Sequence, residues 1–370
     1  MVRLALIGLG KMGISHLAIM RSHPDAELVA VCDTTRYVLD VLAKCTGLKV
    51  YDDYKKMLRE EKLDGVVIAT PSRLHGDMVR AALDHNLHVF CEKPFCLDPD
   101  AGQRLAELAE QKGLVNQVGY HYRFVGPFRE AKRLIELGAI GRVHHFRAEA
   151  YGPVVLRPKN VTWRAHKSEG GGCLYDYASH AIDLVTFVIG EPERVRGTVL
   201  NTIFSRDVED EVYSTLFLAN GTTGQIAANW SDDSLRKMST KLSIWGTNGR
   251  LTVDRQETQL YVRDPSAAGT PLKAGWTVSY TTELSDNQFF YLRGEEYSAQ
   301  IDHFVQAIRQ GGRDAVSTFA SAAITDRVAA MMVRDAAGLP EAANEMIATR
   351  TLPPPARVRS LFGRARALLS

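Results

Sequence analysis

No stretch of this 370-residue chain approaches the roughly 18 uncharged apolar residues that a membrane-spanning helix requires, so a membrane-crossing protein is excluded. One-sided charge is missing too. Lys+Arg 45 against Asp+Glu 43 leaves +2, too even a balance for the electrostatic footprint of a nucleic-acid binder. Cysteine is scarce: Cys32, Cys45, Cys91, Cys96 and Cys173 are odd in number and contain no CxxC pair, which excludes a disulfide framework and fits no zinc pattern. With no Arg-rich or apolar leader before the first strand-like run, they point to a reducing, cytoplasmic compartment. Internal repeats and low-complexity tracts are also absent. What remains is an ordinary globular composition, 45% hydrophobic and 24% charged, in a chain long enough for two domains with a cleft between them.

The first third alternates strands and helices. Val2 to Gly8 is a short apolar run, Leu28 to Cys32 a second, followed by Val66 to Ala69, a helix from about His75 to Asn86, then Leu87 to Cys91, a helix over Pro99 to Lys112, and Leu114 to Val118. Strands separated by helices of this length predict right-handed parallel crossovers, an α/β doubly wound sheet over residues 1–122. From residue 123 to about 345 the strands are longer and joined by turns: Val143 to Tyr151, Arg194 to Phe204, Glu211 to Leu218, Thr222 to Trp230, Lys241 to Trp245 and Arg250 to Asp254. Asn220-Gly221 and Asn248-Gly249 supply the positive φ of tight hairpins. With helices at Pro127 to Leu137, Tyr177 to Ile189, Tyr297 to Arg309 and Thr318 to Ala336, this half reads as an α+β domain with a large, mostly antiparallel sheet.

Gly8-Leu-Gly10-Lys11-Met12-Gly13 follows the first strand and opens a helix, and Asp33 ends the second strand twenty residues after Gly13. That is the full context of a dinucleotide fingerprint: Gly8 makes the turn, Gly10 lets the backbone approach a pyrophosphate, and Gly13 lets helix and strand pack. Asp33 would bind the adenosine ribose hydroxyls and repel a 2′-phosphate, which favours NAD over NADP. Arg36 complicates the choice, because a guanidinium there could stack on adenine or pair with that phosphate.

Cys91-Glu92-Lys93-Pro94 lies at the C-terminal edge of a parallel strand, where open α/β sheets bind ligands, and Lys93 could hold a substrate hydroxyl and ease its proton loss. Gly170-Gly171-Gly172 leads into a helix on which Asp176, His180 and Asp183 share one face at i, i+4 and i+7. Apolar neighbours Leu184 to Ile189 bury that helix, so the three need partners. Asp176 is expected to orient or charge-stabilise His180, a proton acceptor suited to neutral pH. Tyr120, His121 and Arg123 follow the last parallel strand, where rings and donors suit a polyhydroxylated ligand, and Trp163-Arg164 lies in a loop before the triple glycine.

Taken together, the glycine fingerprint, Ala69-Thr70-Pro71 with His75, Glu92-Lys93-Pro94, and the triple glycine with Asp176 and His180 resemble the Gfo/Idh/MocA oxidoreductases, which include glucose–fructose oxidoreductase and inositol dehydrogenases. The resemblance runs from residue 2 to about residue 340. It implies a Rossmann domain and a C-terminal domain whose open sheet forms homodimers or homotetramers. Lys93, Asp176 and His180 match the catalytic set; Thr70, Pro71 and His75 match the cofactor-side loop beside Glu92; Tyr120, His121, Arg123, Trp163 and Arg164 fall toward substrate. The implied reaction passes a hydride between NAD and a ring hydroxyl or ketone of a sugar, inositol or nucleotide sugar. An NAD-retaining glycosidase using transient oxidation and elimination stays open beside it. A non-catalytic dinucleotide-binding regulator is disfavoured, since a binding module has no need of a proton-transfer set. Residues 346–370 depart from the family: after Leu352-Pro-Pro-Pro355, four arginines and no acid accompany apolar residues at helix spacing, which reads as a frayed tail or a helix packed on a neighbouring subunit ahead of a basic amphipathic helix for a membrane surface or a partner.

Overall fold

The computed structural model describes residues 1–154, 163–268, 272–285, 295–312 and 316–339. The tail expected over 346–370 lies outside them.

The parallel sheet is built from β1 (Val2–Ile7), β2 (Ala26–Cys32), β3 (Lys49–Tyr51), β4 (Gly65–Ile68), β5 (His88–Cys91) and β6 (Asn116–Val118), in the order β3-β2-β1-β4-β5-β6. All its neighbours are parallel. Helices cover both of its faces, and the central strand β4 is apolar and buried at every residue. The crossovers are α1 (Lys11–Ser22), α2 (Arg36–Thr46), α3 (Tyr54–Glu60), α4 (His75–Asp84) and α5 (Pro99–Gln111). This is the doubly wound order whose reversal between β1 and β4 opens a crevice at the strands' carboxyl ends. Strand β3 escapes the sequence reading because three residues carry no period.

After α6 (Gly126–Glu136), the second sheet comprises β7 (Val143–Tyr151), β8 (Pro192–Asn201), β9 (Glu211–Leu218), β10 (Thr223–Asn229), β11 (Ser239–Gly246), β12 (Gly249–Val253), β13 (Glu257–Val262) and β14 (Gly275–Tyr280), ordered β14-β13-β12-β11-β7-β10-β9-β8. Only β7 and β10 pair in parallel. Strands β13 and β14 are additional to the sequence reading. Gly221 takes the positive φ expected of the β9–β10 hairpin, +83°. Asn248-Gly249 does not, and this corrects the expectation: neither residue is left-handed. Gly249 is needed instead for space, since a Cβ there would lie 2.0 Å from the Tyr261 carbonyl oxygen, while the Asn248 amide donates to the Asp264 carbonyl at 2.8 Å.

A π-helical turn (Leu174–Ala178) leads into α7 (Ser179–Val188), which packs on the large sheet. The short α8 (Thr281–Leu284) is followed by α9 (Glu295–Arg309) and α10 (Phe319–Ala336). Ile301, Phe304 and Val305 of α9 join the core of Leu4, Leu6 and Phe90 under the parallel sheet. In α10, Phe319 stacks on Phe95 at 4.2 Å, whereas Val328, Ala329 and Met332 join the core of the antiparallel sheet. One helix thus enters both cores and fixes the crevice between them.

Candidate active site

A cleft of about 450 Å³ opens at the carboxyl ends of β1, β2, β4 and β5. At one end lie Gly8 to Met12 and Asp33 to Thr35; at the other lie Glu92, Lys93, Trp163, Arg164 and Asp176. The glycine loop fits a pyrophosphate. A Cβ on Gly13 would sit 1.9 Å from the Gly8 carbonyl oxygen, so only glycine lets α1 pack this close, whereas the Cβ position of Gly10 meets no atom within 4 Å. No side chain caps the first turn of α1 and no acid stands in it, which leaves its N–H groups for an anion.

Asp33 braces this loop: its carboxylate accepts from Leu9 N at 2.6 Å and from Thr35 N at 2.8 Å. Arg36 is exposed at the start of α2 and outside the cleft lining. Thr34, Thr35, Asp52 and Tyr54 line the same end and were missed, the last two because β3 was not read. Thr70 and Pro71 line the cleft. His75 does not: it is fully buried, with Nδ1 2.8 Å from the Pro94 carbonyl and Nε2 3.0 Å from that of Thr70. Burial holds its imidazole below the usual histidine range against those carbonyls. It ties the loop after β4 to the loop carrying Lys93.

Glu92 is 8% exposed, and one oxygen accepts from His16 Nε2 at 2.7 Å. Burial pushes its carboxyl up, but the His16 bond and the His16 and Lys93 charges outweigh that and hold it below its ordinary value. His16, on α1, was not singled out from the sequence; its only signal is a polar residue on a buried helix face.

Lys93 Nζ donates to Asp176 Oδ1 at 2.8 Å and to the Asp176 main-chain oxygen at 2.9 Å. Arg164 Nε donates to Asp176 Oδ2 at 2.8 Å. Burial opposes ionisation of Asp176, yet the two cations hold its carboxyl far below the carboxylate range. The expectation that Asp176 orients His180 is therefore corrected, since both carboxylate oxygens are taken by Lys93 and Arg164. The cause is local geometry. The π-helical turn ends between Asp176 and His180, so the even helix period that placed them on one face does not apply.

His180 is 4% exposed and sits among the rings of Tyr120, His121 and Tyr122, with centroids at 6.0, 5.1 and 5.2 Å. Its Nδ1 has no hydrogen-bond partner. Burial first, then the charges of Lys93 and His121, hold its imidazole well below the usual range despite Asp176, so it is neutral at pH 7. It is not part of the cleft lining. His121 stacks on Tyr297 at 4.7 Å, and Tyr120 is fully buried; both support His180 and neither lines the cleft. Arg123 is a further correction: its guanidinium chelates Asp183, with Nη2 to Oδ1 at 2.6 Å and Nε to both oxygens, and bonds Ser321 at 3.1 Å. At 5% exposure it lies buried in this pair and outside the cleft lining.

Comparisons with known proteins agree with this geometry. Residues 2–120 match the oxidoreductase family with an NAD-binding Rossmann fold, and residues 128–252 match the GFO/IDH/MocA C-terminal domain. Similar proteins include the scyllo-inositol 2-dehydrogenase (NAD(+)) of Bacillus subtilis, 26% identical over 84% of this chain and 87% of that one. The myo-inositol 2-dehydrogenase of Thermotoga maritima is 26% identical over 85% and 91%. Levoglucosan dehydrogenase in complex with NADH and levoglucosan superposes with a TM-score of 0.79 at 26% identity, over 91% of this chain and 97% of that one. The chain belongs to the Gfo/Idh/MocA oxidoreductase family. It is an NAD-dependent oxidoreductase.

Proposed function

We propose that the chain is a sugar or polyol dehydrogenase that oxidises a secondary ring hydroxyl, or reduces the corresponding ketone. One observation carries this reading: the Lys93–Asp176 pair, 2.8 Å apart, stands in the wall of the same cleft that begins at the glycine loop. Bound NAD would accept the hydride. The protein's own residues do the rest. Lys93 has three N–H donors and uses two on Asp176, so the third is left for the substrate hydroxyl. A neighbouring ammonium lowers the cost of removing the hydroxyl proton, and His180, neutral and close to Lys93 and Asp176 though outside the cleft lining, is its proposed acceptor. Trp163 and Arg164 close the substrate end. The inositol and levoglucosan dehydrogenases among its relatives support a neutral cyclic polyol as substrate.

Two further assignments belong to this reading. The five free cysteines favour a reducing cytoplasm, and among the described residues no helix is long and apolar enough to cross a membrane. The face of the large sheet turned away from α6 and α7 exposes Tyr213, Tyr261 and Trp276, and it is the surface through which copies would associate.

The test is absorbance at 340 nm with NAD across inositols, aldoses, anhydrosugars and uronic acids. Substrate-dependent NADH formation is expected, and His180→Ala should lower turnover by about two to four orders of magnitude with NADH affinity near wild type. Silence on every polyol, with sugar released from glycosides without net NADH, would replace this reading by redox-assisted glycoside cleavage.

A further inference from the structure

We infer that Arg164 is a positioning residue for Asp176, fixing the carboxylate oxygen that Lys93 leaves and thereby holding the Lys93 ammonium against the cleft. This rests on the proposed placement of the substrate hydroxyl at Lys93.

Asp176 is 4% exposed, and its carboxylate has a cation on each oxygen: Lys93 on Oδ1 and Arg164 on Oδ2, each at 2.8 Å. With a single partner a carboxylate turns about its terminal torsion; with two it is fixed in plane. Arg164 is itself held. Its guanidinium lies over the Trp163 ring at 4.8 Å, and its carbonyl accepts from Gly172 N at 3.2 Å. A Cβ on Gly171 would sit 2.3 Å from that carbonyl oxygen, so the glycines before the π-helical turn are what let residue 164 lie against it. The same segment is tied to the turn after β4 by Arg73, whose Nε meets the Glu169 carboxylate at 2.6 Å. Residues 163–172 therefore form a strap that runs from the parallel-sheet side to the carboxylate and delivers one guanidinium to it.

The groups around Asp176 are Lys93 from the loop after β5, Arg164 from the strap, His180 from α7, and Tyr177 and Cys173 from its own turn. Among the described residues, Lys93 and Arg164 are the two cations bonded to this buried anion. Removing Arg164 leaves burial opposed by Lys93 alone, so the carboxylate takes up a proton at a higher pH and releases Lys93 as it does so.

The experiment compares Arg164→Gln and Arg164→Lys with the wild type in two ways. Crystal structures of both variants read the Lys93–Asp176 geometry without any substrate. Steady-state kinetics use myo-inositol, or the best substrate of the 340 nm screen, with NAD. Arg164→Gln should rotate the Asp176 carboxylate away from Lys93 and lower kcat by about 10- to 100-fold, with NADH affinity within about twofold of wild type. An acid limb absent from the wild type should appear in kcat/KM. Arg164→Lys should recover most of the loss and move that limb back. Should Asp176 keep its bond to Lys93 in the glutamine variant with the pH profile unmoved, or should KM alone rise, the inference is overturned and Arg164 is a substrate contact. A wild type silent on every polyol defeats the function proposed above, and the crystal structures then decide the positioning role on their own.

Discussion

His16 on α1 and Glu92 after β5 form a buried hydrogen bond, Nε2 to Oε1 at 2.7 Å, directly beneath the cleft. The imidazole is fully buried, and its ring stands edge-on to Phe90 at 5.2 Å. Glu92 in turn accepts from Lys93 N at 3.2 Å. The dinucleotide helix is thus coupled through one carboxylate to the residue proposed to hold the substrate.

Replacing His16 by Leu should leave Glu92 Oε1 without its donor and cost about 1–3 kcal/mol of stability. NADH affinity, read by quenching of protein fluorescence, should fall, while His16→Gln, which keeps an N–H donor, should lie closer to wild type. Equal losses in both variants would mean that volume rather than the hydrogen bond matters here.

Arg123 distinguishes a structural pair from a substrate contact. Arg123→Leu leaves Asp183 buried and uncompensated, and should destabilise the protein by about 3–5 kcal/mol. The double variant Arg123→Leu/Asp183→Leu should regain much of that. Chemical denaturation measures both, and a rise in KM with unchanged stability would contradict the assignment.

Asp326 on α10 sets a pH dependence. It is 3% exposed, accepts from Cys96 N at 2.9 Å, and is pushed up to about 8 by burial, against backbone hydrogen bonds from Cys96 and Phe95 and with the charge of Asp183 adding to the rise. A carboxyl whose folded value is raised contributes stability that is fully present below the ordinary value near 4 and is lost as pH climbs to 8. Melting temperature should therefore decline across that window in the wild type and decline less in Asp326→Asn, with the variant the more stable at pH 8. Parallel curves would show that Asp326 ionises freely in the folded state.

The exposed sheet face makes its own prediction. Tyr261 and Trp276 contact each other at 5.3 Å, and Trp276 is 58% exposed. If copies associate through this face, light scattering should give a dimer or larger for the wild type and a smaller species for Trp276→Glu, with secondary structure intact. A wild-type monomer would remove the proposed interface.

Local chemistry made much of this legible. Apolar runs of strand length separated by helical stretches specify a parallel sheet, because strands covered on both faces carry no polar side. The glycine spacing identified the dinucleotide end, since only glycine tolerates a carbonyl oxygen 1.9 Å from the Cβ position at Gly13. Lys93 was readable from its place after β5. Strands β13 and β14 were not singled out, because nothing before the fold shows which face of them is covered.

What the chain alone determined, then, is where each chemically active residue sits along its strands and helices. Which of them meet was decided by tertiary structure. Asp176 faces Lys93 from 83 positions away and Arg164 from 12, while Asp183 takes Arg123 from 60. A helical repeat read from the sequence put Asp176, His180 and Asp183 on one face, but the π-helical turn broke that repeat. Asp176 and Asp183 each took the cation that packing brought within hydrogen-bond reach, because a buried anion is costly unless it is paired.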